Sequence, residues 1–83
     1  MKSDIKTKDI EKRVKQIISE HTGILTKNIK LNSDLRVDLG IDSFAAIELI
    51  FSLKEEFGLN IEDSELQKLK TVNDILQAIK SKI

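Results

Sequence analysis

The sequence lacks several residue types on which many small proteins depend. Its 83 residues include no cysteine, proline, tryptophan or tyrosine. Without cysteine, neither a disulfide framework nor a cysteine-based metal site can stabilise the fold. A chain this short buries roughly 60% of its unfolded surface, so its core is thin. Stability must come from packed aliphatic faces, and we expect a single domain spanning residues 1–83.

Long apolar runs are also missing. Residues 1–13 contain no apolar stretch of the kind that a secretory signal needs. No other stretch reaches the length of a membrane span. We therefore expect a cytoplasmic protein without a membrane span.

The charge is balanced overall but unevenly distributed. Lys and Arg together number 14, as do Asp and Glu, which gives zero net charge. Residues 31–65 hold nine acidic and two basic side chains, whereas both flanking segments are net basic. A partner that docks on the acidic segment should be basic. Nucleic acid is a poor candidate, because it would be repelled there and no aromatic platform for bases is present.

Apolar periodicity predicts an all-α fold: a four-helix bundle with three main helices and one short helix. Helix one is predicted over residues 8–21 and helix two over 43–57, each followed by a glycine. A short helix is predicted over residues 63–69. Helix four is predicted to begin at Thr71, because Asp74 three residues later resembles the second half of a capping box.

A long loop, residues 24–42, separates helices one and two. Loops of this length are uncommon in compact domains unless they are functional or held down. Ser33 or Asp34 is expected to begin a short turn within it. We expect six aliphatic side chains to hold the loop against the helices: Ile24, Leu25, Ile29, Leu31, Leu35 and Leu39.

Helix two carries two apolar stripes rather than one. At about 100° per residue, the inner stripe comprises Ala46, Leu49, Ile50, Leu53 and Phe57. The outer stripe, centred about 130° away, comprises Phe44, Ile47 and Phe51. Glu48 and Glu55 flank the outer stripe on one edge and Lys54 on the other. Two interpretations are open: either the long loop covers the outer stripe, or the stripe is a docking patch for a partner.

Ser43 stands at the predicted start of helix two, beside the outer stripe. Position alone favours a helix N-cap, which stabilises by roughly 1 kcal/mol. A catalytic nucleophile would need a general base, yet the only histidine, His21, is expected at the end of helix one. No glycine-rich elbow surrounds the serine either. An attachment site fits better, because a phosphate on Ser43 would meet free backbone N–H groups at the positive end of the helix dipole.

The segment DLGIDSFAAIELIFSLKEEFG, residues 38–58, closely resembles acyl carrier proteins. The upstream L-x-x-D-L at Leu31 to Leu35 and the downstream TVNDILQAI extend the resemblance over nearly the whole chain. It implies that a phosphopantetheinyl transferase attaches 4′-phosphopantetheine from coenzyme A to Ser43, with Asp42 as the preceding motif residue. The thiol of the arm then holds an acyl group as a thioester, so the protein would be a carrier and not an enzyme.

The resemblance also implies how the carrier meets other proteins. Acyl-loading and acyl-transferring enzymes would dock on helix two through Phe44, Ile47, Glu48, Phe51 and Glu55. We expect a monomer without a resident metal ion. In fatty acyl carriers the interior takes up the acyl chain, and Leu53 and Ile61 are expected among the residues that line it.

Several features depart from the pattern of carriers in fatty acid synthesis. Phe44 stands where Leu or Met is commoner, and Ala45 and Lys54 stand where acidic residues are usual. The zero net charge also contrasts with the strongly acidic character of those carriers. These departures bear on which partner enzymes the carrier meets, and not on the carrier role. Three roles stay open: a carrier in fatty acid synthesis, a carrier in a specialised pathway, or a carrier for an amino acid or polyketide unit. An unmodified helical interaction module is the alternative from another class.

Overall fold

The computed structural model describes residues 7–82. Within that range the chain forms four α-helices: α1 (Thr7–Thr22), α2 (Ser43–Phe57), α3 (Asp63–Leu66) and α4 (Val72–Lys80). The predicted all-α fold, with three main helices, one short helix and a long loop between the first two, is confirmed. No helix in the described part of the chain is long and apolar enough to cross a membrane.

Local signals in the sequence set the helix ends. α2 stops at Gly58, which adopts the left-handed conformation (φ +63°) and donates its N–H to the carbonyl of Lys54. At the start of α4, the Thr71 hydroxyl accepts the N–H of Asp74 at 3.2 Å. The Asp74 carboxylate in turn accepts the N–H of Thr71 at 3.1 Å. The predicted capping box is therefore present.

One aliphatic core joins the helices to the long loop. α1 packs against both α2 and α4. The inner stripe of α2 enters this core as predicted: Leu49, Ile50 and Leu53 are buried, and Ala46 and Phe57 are partly buried. The remaining buried aliphatic residues are Ile10, Val14, Ile17, Ile18, Ile29, Leu35, Leu39, Ile41, Ile61, Val72, Ile75, Leu76 and Ile79.

The long loop is held down by most of the predicted side chains. Ile29, Leu35 and Leu39 are buried, and Ile24 and Leu31 pack partly against the core. The prediction for Leu25 is wrong, because its side chain is 59% exposed. Leu25 immediately precedes a 3₁₀ turn, Thr26–Asn28, that contains no buried residue. This corner of the loop therefore lies on the surface.

Backbone hydrogen bonds also hold the loop against the start of α4. The N–H of Leu35 donates to the carbonyl of Lys70 at 2.9 Å, and the N–H of Asn73 donates to the carbonyl of Leu31 at 2.8 Å. Between them, Asp34 and Thr71 form an isolated antiparallel bridge. These contacts fix the part of the long loop from Leu31 to Leu35, which leads toward Ser43.

α3 is shorter than predicted and ends at Leu66 rather than near residue 69. The N–H of Lys68 donates to the carbonyl of Glu65, and the N–H of Leu69 donates to that of Leu66. These bonds reach back three residues instead of four, so the chain tightens into a turn here and does not continue the α-helix.

Candidate attachment site and docking surface

The segment before Ser43 contains a turn organised by two aspartates. Asp34 Oδ1 accepts the backbone N–H groups of Arg36 and Val37 at 2.9 and 2.8 Å. Asp38 Oδ2 accepts the N–H of Asp34 at 2.7 Å. The turn therefore begins at Asp34, which is one of the two residues predicted to begin it.

Gly40 ends this turn and redirects the chain toward α2. Its φ of +69° lies in the left-handed region, where a side chain would be strained. The N–H of Gly40 donates to the carbonyl of Arg36 at 3.1 Å, and that of Ile41 donates to Leu35 at 2.8 Å. Ile41 is buried, so the residue two positions before Ser43 is anchored in the core.

Asp42, rather than Ser43, is the N-cap of α2. Its backbone is extended (φ −84°, ψ −175°), and its Oδ1 accepts the N–H of Ala45 at 2.8 Å. A carboxylate at this position also complements the positive end of the helix dipole. The N-cap prediction for Ser43 is therefore wrong. Ser43 is the first helical residue, and the cap does not use its hydroxyl.

The surroundings of Ser43 fit a covalently attached phosphate. Ser43 is exposed, so its Oγ is accessible to a modifying enzyme. At the first positions of an α-helix the backbone N–H groups have no intrahelical acceptor. Asp42 takes up the N–H of Ala45, which leaves those of Ser43 and Phe44. A phosphodiester on Ser43 Oγ would lie close to these donors and to the positive end of the dipole.

The only histidine of the chain is paired with a different serine. His21 Nε2 lies 2.9 Å from Ser52 Oγ, a contact between α1 and α2 that sequence analysis did not predict. Ser52 follows Ser43 by nine residues, or about 13 Å along the axis of α2. His21 is therefore not placed to act as a general base for Ser43. Among the described residues no cluster of His, Cys, Asp or Glu is suited to hold a metal ion.

The outer stripe of α2 is open to solvent. Phe44 is 70% exposed, Ile47 56% and Phe51 58%. The interpretation in which the long loop covers this stripe is therefore wrong. Glu48 and Glu55 are also exposed and lie beside it, whereas Lys54 is half-buried. The five side chains predicted to bind partners thus form one accessible surface.

A cleft of about 840 Å³ lies between α2, the long loop and the segment around α3. Ser43 is at its edge, and Ile47 and Phe51 of the outer stripe border it. Ile61 lines the cleft, whereas Leu53 is fully buried in the core. That both residues line the interior that takes up an acyl chain stays a prediction. Other apolar lining residues include Leu35, Ile41, Ile50, Leu66, Leu69 and Ile75.

An ion pair marks another side of α2. Arg13 of α1 donates from Nε to Glu56 Oε2 at 2.7 Å and from Nη2 to Glu56 Oε1 at 3.0 Å. This hydrogen bonding lowers the pKa of Glu56 and raises that of Arg13. At about 100° per residue, Glu56 lies roughly 120° around the helix from Phe44. It therefore joins α1 to α2 away from the outer stripe.

Comparison with known proteins places the chain in a class. A family described as a phosphopantetheine attachment site matches residues 12–79. An acyl carrier protein of Phytoplasma mali (strain AT) is 45% identical over 74 residues, which cover 89% of this chain and 88% of that protein. An acyl carrier protein of Saccharopolyspora erythraea is 37% identical over 70 residues, covering 84% and 74% respectively. The chain therefore belongs to the acyl carrier protein family.

Membership of this family decides between the classes left open by the sequence. The family carries covalently attached 4′-phosphopantetheine, and its proteins are carriers rather than enzymes. The protein is accordingly an acyl carrier. The alternative function, an unmodified interaction module, is no longer supported, because the matched family is defined by the attachment site.

Proposed function

We propose that the protein presents acyl groups as thioesters on a 4′-phosphopantetheine arm attached to Ser43, with residues 1–83 forming a single carrier domain. One observation supports Ser43 above all. It is an exposed residue whose hydroxyl is not used by the helix cap, at the edge of the cleft and beside the outer stripe. The arm supplies the thiol that the cysteine-free chain lacks.

The residues around Ser43 position the serine, and another protein catalyses the attachment. Asp42 caps α2 and thereby fixes where the helix begins, so the Ser43 hydroxyl projects from a defined position. His21 is engaged with Ser52 far along the helix, so we assign the base that removes the hydroxyl proton to the phosphopantetheinyl transferase. Asp42 is in this account a positioning residue.

The outer stripe and its acidic edge form the docking surface for the transferase and for acyl-loading and acyl-transferring enzymes. Phe44, Ile47 and Phe51 provide an apolar centre, and Glu48 and Glu55 provide part of a charged rim. Interfaces are commonly built in this way, with the energy concentrated in a few large apolar side chains. Docking here would bring the arm on Ser43 to the active site of the partner.

The cargo is proposed to be an intermediate of fatty acid or related acyl biosynthesis. The apolar lining of the cleft beside Ser43 supports this, since an acyl chain needs such a surface. A second candidate is a specialised carrier for an amino acid or polyketide unit, which is favoured by Ala45, Lys54 and the zero net charge. Loading by fatty acid synthase enzymes at the rate of a housekeeping carrier would contradict the specialised role. The monomeric state and cytoplasmic location stay predictions.

The attachment proposal is tested by intact-protein mass spectrometry. The protein is incubated with coenzyme A, magnesium and a broad-specificity phosphopantetheinyl transferase. Wild type should gain one phosphopantetheine, or already carry it when purified, and Ser43→Ala should do neither. Ser64→Ala is a matched control, because Ser64 is another exposed serine near the start of a helix, and it should be modified like wild type. A bare wild type that stays bare would contradict the proposal.

A further inference from the structure

The two edges of the outer stripe carry opposite charge. At about 100° per residue, Glu55 and Glu48 lie roughly 20° and 40° to one side of Phe44. Lys54 lies roughly 80° to the other side of Phe44, just beyond Ile47. The exposed apolar stripe therefore separates an anionic edge from a cationic edge on a single helix.

The cleft extends the cationic edge beyond α2. Arg36 and Lys70 line the cleft together with Lys54. The N–H of Leu35 donates to the carbonyl of Lys70. The backbone at Lys70 therefore lies next to Leu35, the residue that precedes Arg36. Among the side chains that the structure describes, the ion pairs involve none of these three cations.

The acidic groups of the cleft are already engaged by the backbone. The lining contains two carboxylates, those of Asp34 and Asp42. Asp34 accepts the N–H groups of Arg36 and Val37, and Asp42 accepts that of Ala45. Their charge is thereby partly offset by backbone dipoles. Arg36 and Lys70 are exposed and Lys54 is half-buried, so these cations are also open to a partner.

The anionic edge is equally available. Glu48 and Glu55 are exposed, and within the described part of the chain neither takes part in an ion pair. Glu56, the next acidic residue on α2, is instead held by Arg13 at 2.7 Å. One carboxylate of α2 is therefore held by an ion pair with α1, and two remain exposed beside the outer stripe.

We propose that the partner enzymes of this carrier present a docking surface of mixed charge. Basic groups of the partner would face Glu48 and Glu55, and acidic groups would face Lys54 and the cationic edge. Complementary potentials of this kind favour the right partner and fix its orientation, whereas like charges in contact disfavour the wrong one. The inference rests on the proposed docking role of α2. It adds that a uniformly basic docking surface is disfavoured at Lys54.

Two designed peptides test this preference without a known partner. Both are amphipathic helices with the same leucine face. The mixed-charge peptide has lysines along one flank and glutamates along the other, and the basic peptide has lysines along both. The mixed-charge peptide should bind wild type about three- to tenfold more tightly at low salt, as expected for a few exposed ion pairs. The difference should shrink as salt is added, and backbone amide shifts should map both peptides to α2.

Charge variants make the test specific. Lys54→Glu should reverse the preference in favour of the basic peptide. Lys12→Glu is the matched control, because Lys12 is exposed on α1 and its substitution changes net charge equally; it should leave the preference unchanged. Equal or tighter binding of the basic peptide to wild type would overturn the inference, as would binding of neither peptide or an equal effect of Lys12→Glu. Transferase loading of the same samples tests the attachment proposal separately.

Discussion

The two faces of α2 are both rich in apolar residues, but one is buried and the other is exposed. Leu53 on the inner face is fully buried, and Leu49 and Ile50 lie beside it in the core. Phe44 and Phe51 on the outer face are larger apolar residues, yet more than half of each side chain is exposed. The helix therefore places two of its three phenylalanines on a surface that contributes little to the core.

This difference separates the residues of α2 that stabilise the fold from those that are available for recognition. A chain of 83 residues has a thin core, so leaving three large apolar side chains exposed has no evident benefit for stability. Exposed apolar patches rimmed by polar groups mark interaction sites. Substitutions on the two faces should accordingly separate stability from docking.

The largest effect on stability is expected from the inner face. Leu53→Ala should lower the free energy of unfolding by about 2–5 kcal/mol, because it removes buried methyl groups and leaves a cavity. Phe51→Ala on the outer face should change it by about 0.5 kcal/mol or less, as is usual for surface positions. Urea denaturation of both variants makes the comparison. Equal destabilisation would show that the outer stripe belongs to the core.

The largest effect on docking is expected from the outer face. Phe51→Glu should lower kcat/KM for phosphopantetheine transfer about tenfold, because it places a charge in the apolar centre of the docking surface. Its urea midpoint should stay close to that of wild type. Gln77→Glu serves as a control, because it adds the same charge at an exposed residue of α4 outside the cleft and the outer stripe, and it should leave transfer unchanged. An unfolded Phe51→Glu protein, or unchanged transfer, would contradict the assignment.

A smaller effect separates Asp42 from Ser43 at the start of α2. Asp42→Ala should lower the free energy of unfolding by about 1 kcal/mol, since it removes the N-cap. Ser43→Ala should leave stability within about 0.5 kcal/mol of wild type, because the cap does not use the hydroxyl. Loading should show the reverse order, with Ser43→Ala inactive and Asp42→Ala reduced. Greater destabilisation by Ser43→Ala would restore the serine as the cap.

Sequence reasoning predicted the fold well where the signals are local. The glycines after α1 and α2 and the capping box at Thr71 set helix ends to within about a residue. It assigned the cap of α2 to the wrong residue, because Asp42 and Ser43 are both good N-caps and the pattern alone does not choose between them. The 3₁₀ turn at Thr26–Asn28 also has no apolar period to reveal it.

The candidate site was predictable in its residues but not in its surroundings. Ser43 and the outer stripe follow from the motif and from helical rotation. Which aliphatic side chains line the cleft depends on how the elements pack, and helical periodicity alone does not specify that. The contact between His21 and Ser52 joins residues 31 positions apart, which no local pattern specifies.

The smallest effect is a pH dependence at the ion pair between α1 and α2. The hydrogen bond from Arg13 lowers the pKa of Glu56 below its ordinary value of 4.5. The resulting stabilisation is present above that value and is lost as pH falls through the lowered pKa of the folded state. The stability difference between wild type and Glu56→Gln should therefore shrink below about pH 4.5. Urea unfolding of wild type and Glu56→Gln across this range measures the change, and a difference that stays constant would contradict the assignment.

The most direct measurement is peptide mapping of the wild-type protein after incubation with coenzyme A and the transferase. Proteolysis and tandem mass spectrometry locate the added phosphopantetheine on an individual residue. The account predicts that the modification lies on Ser43, at the start of α2 and beside the exposed outer stripe. Phosphopantetheine on another serine, such as Ser33, Ser52 or Ser64, would contradict it, and so would a protein that carries none.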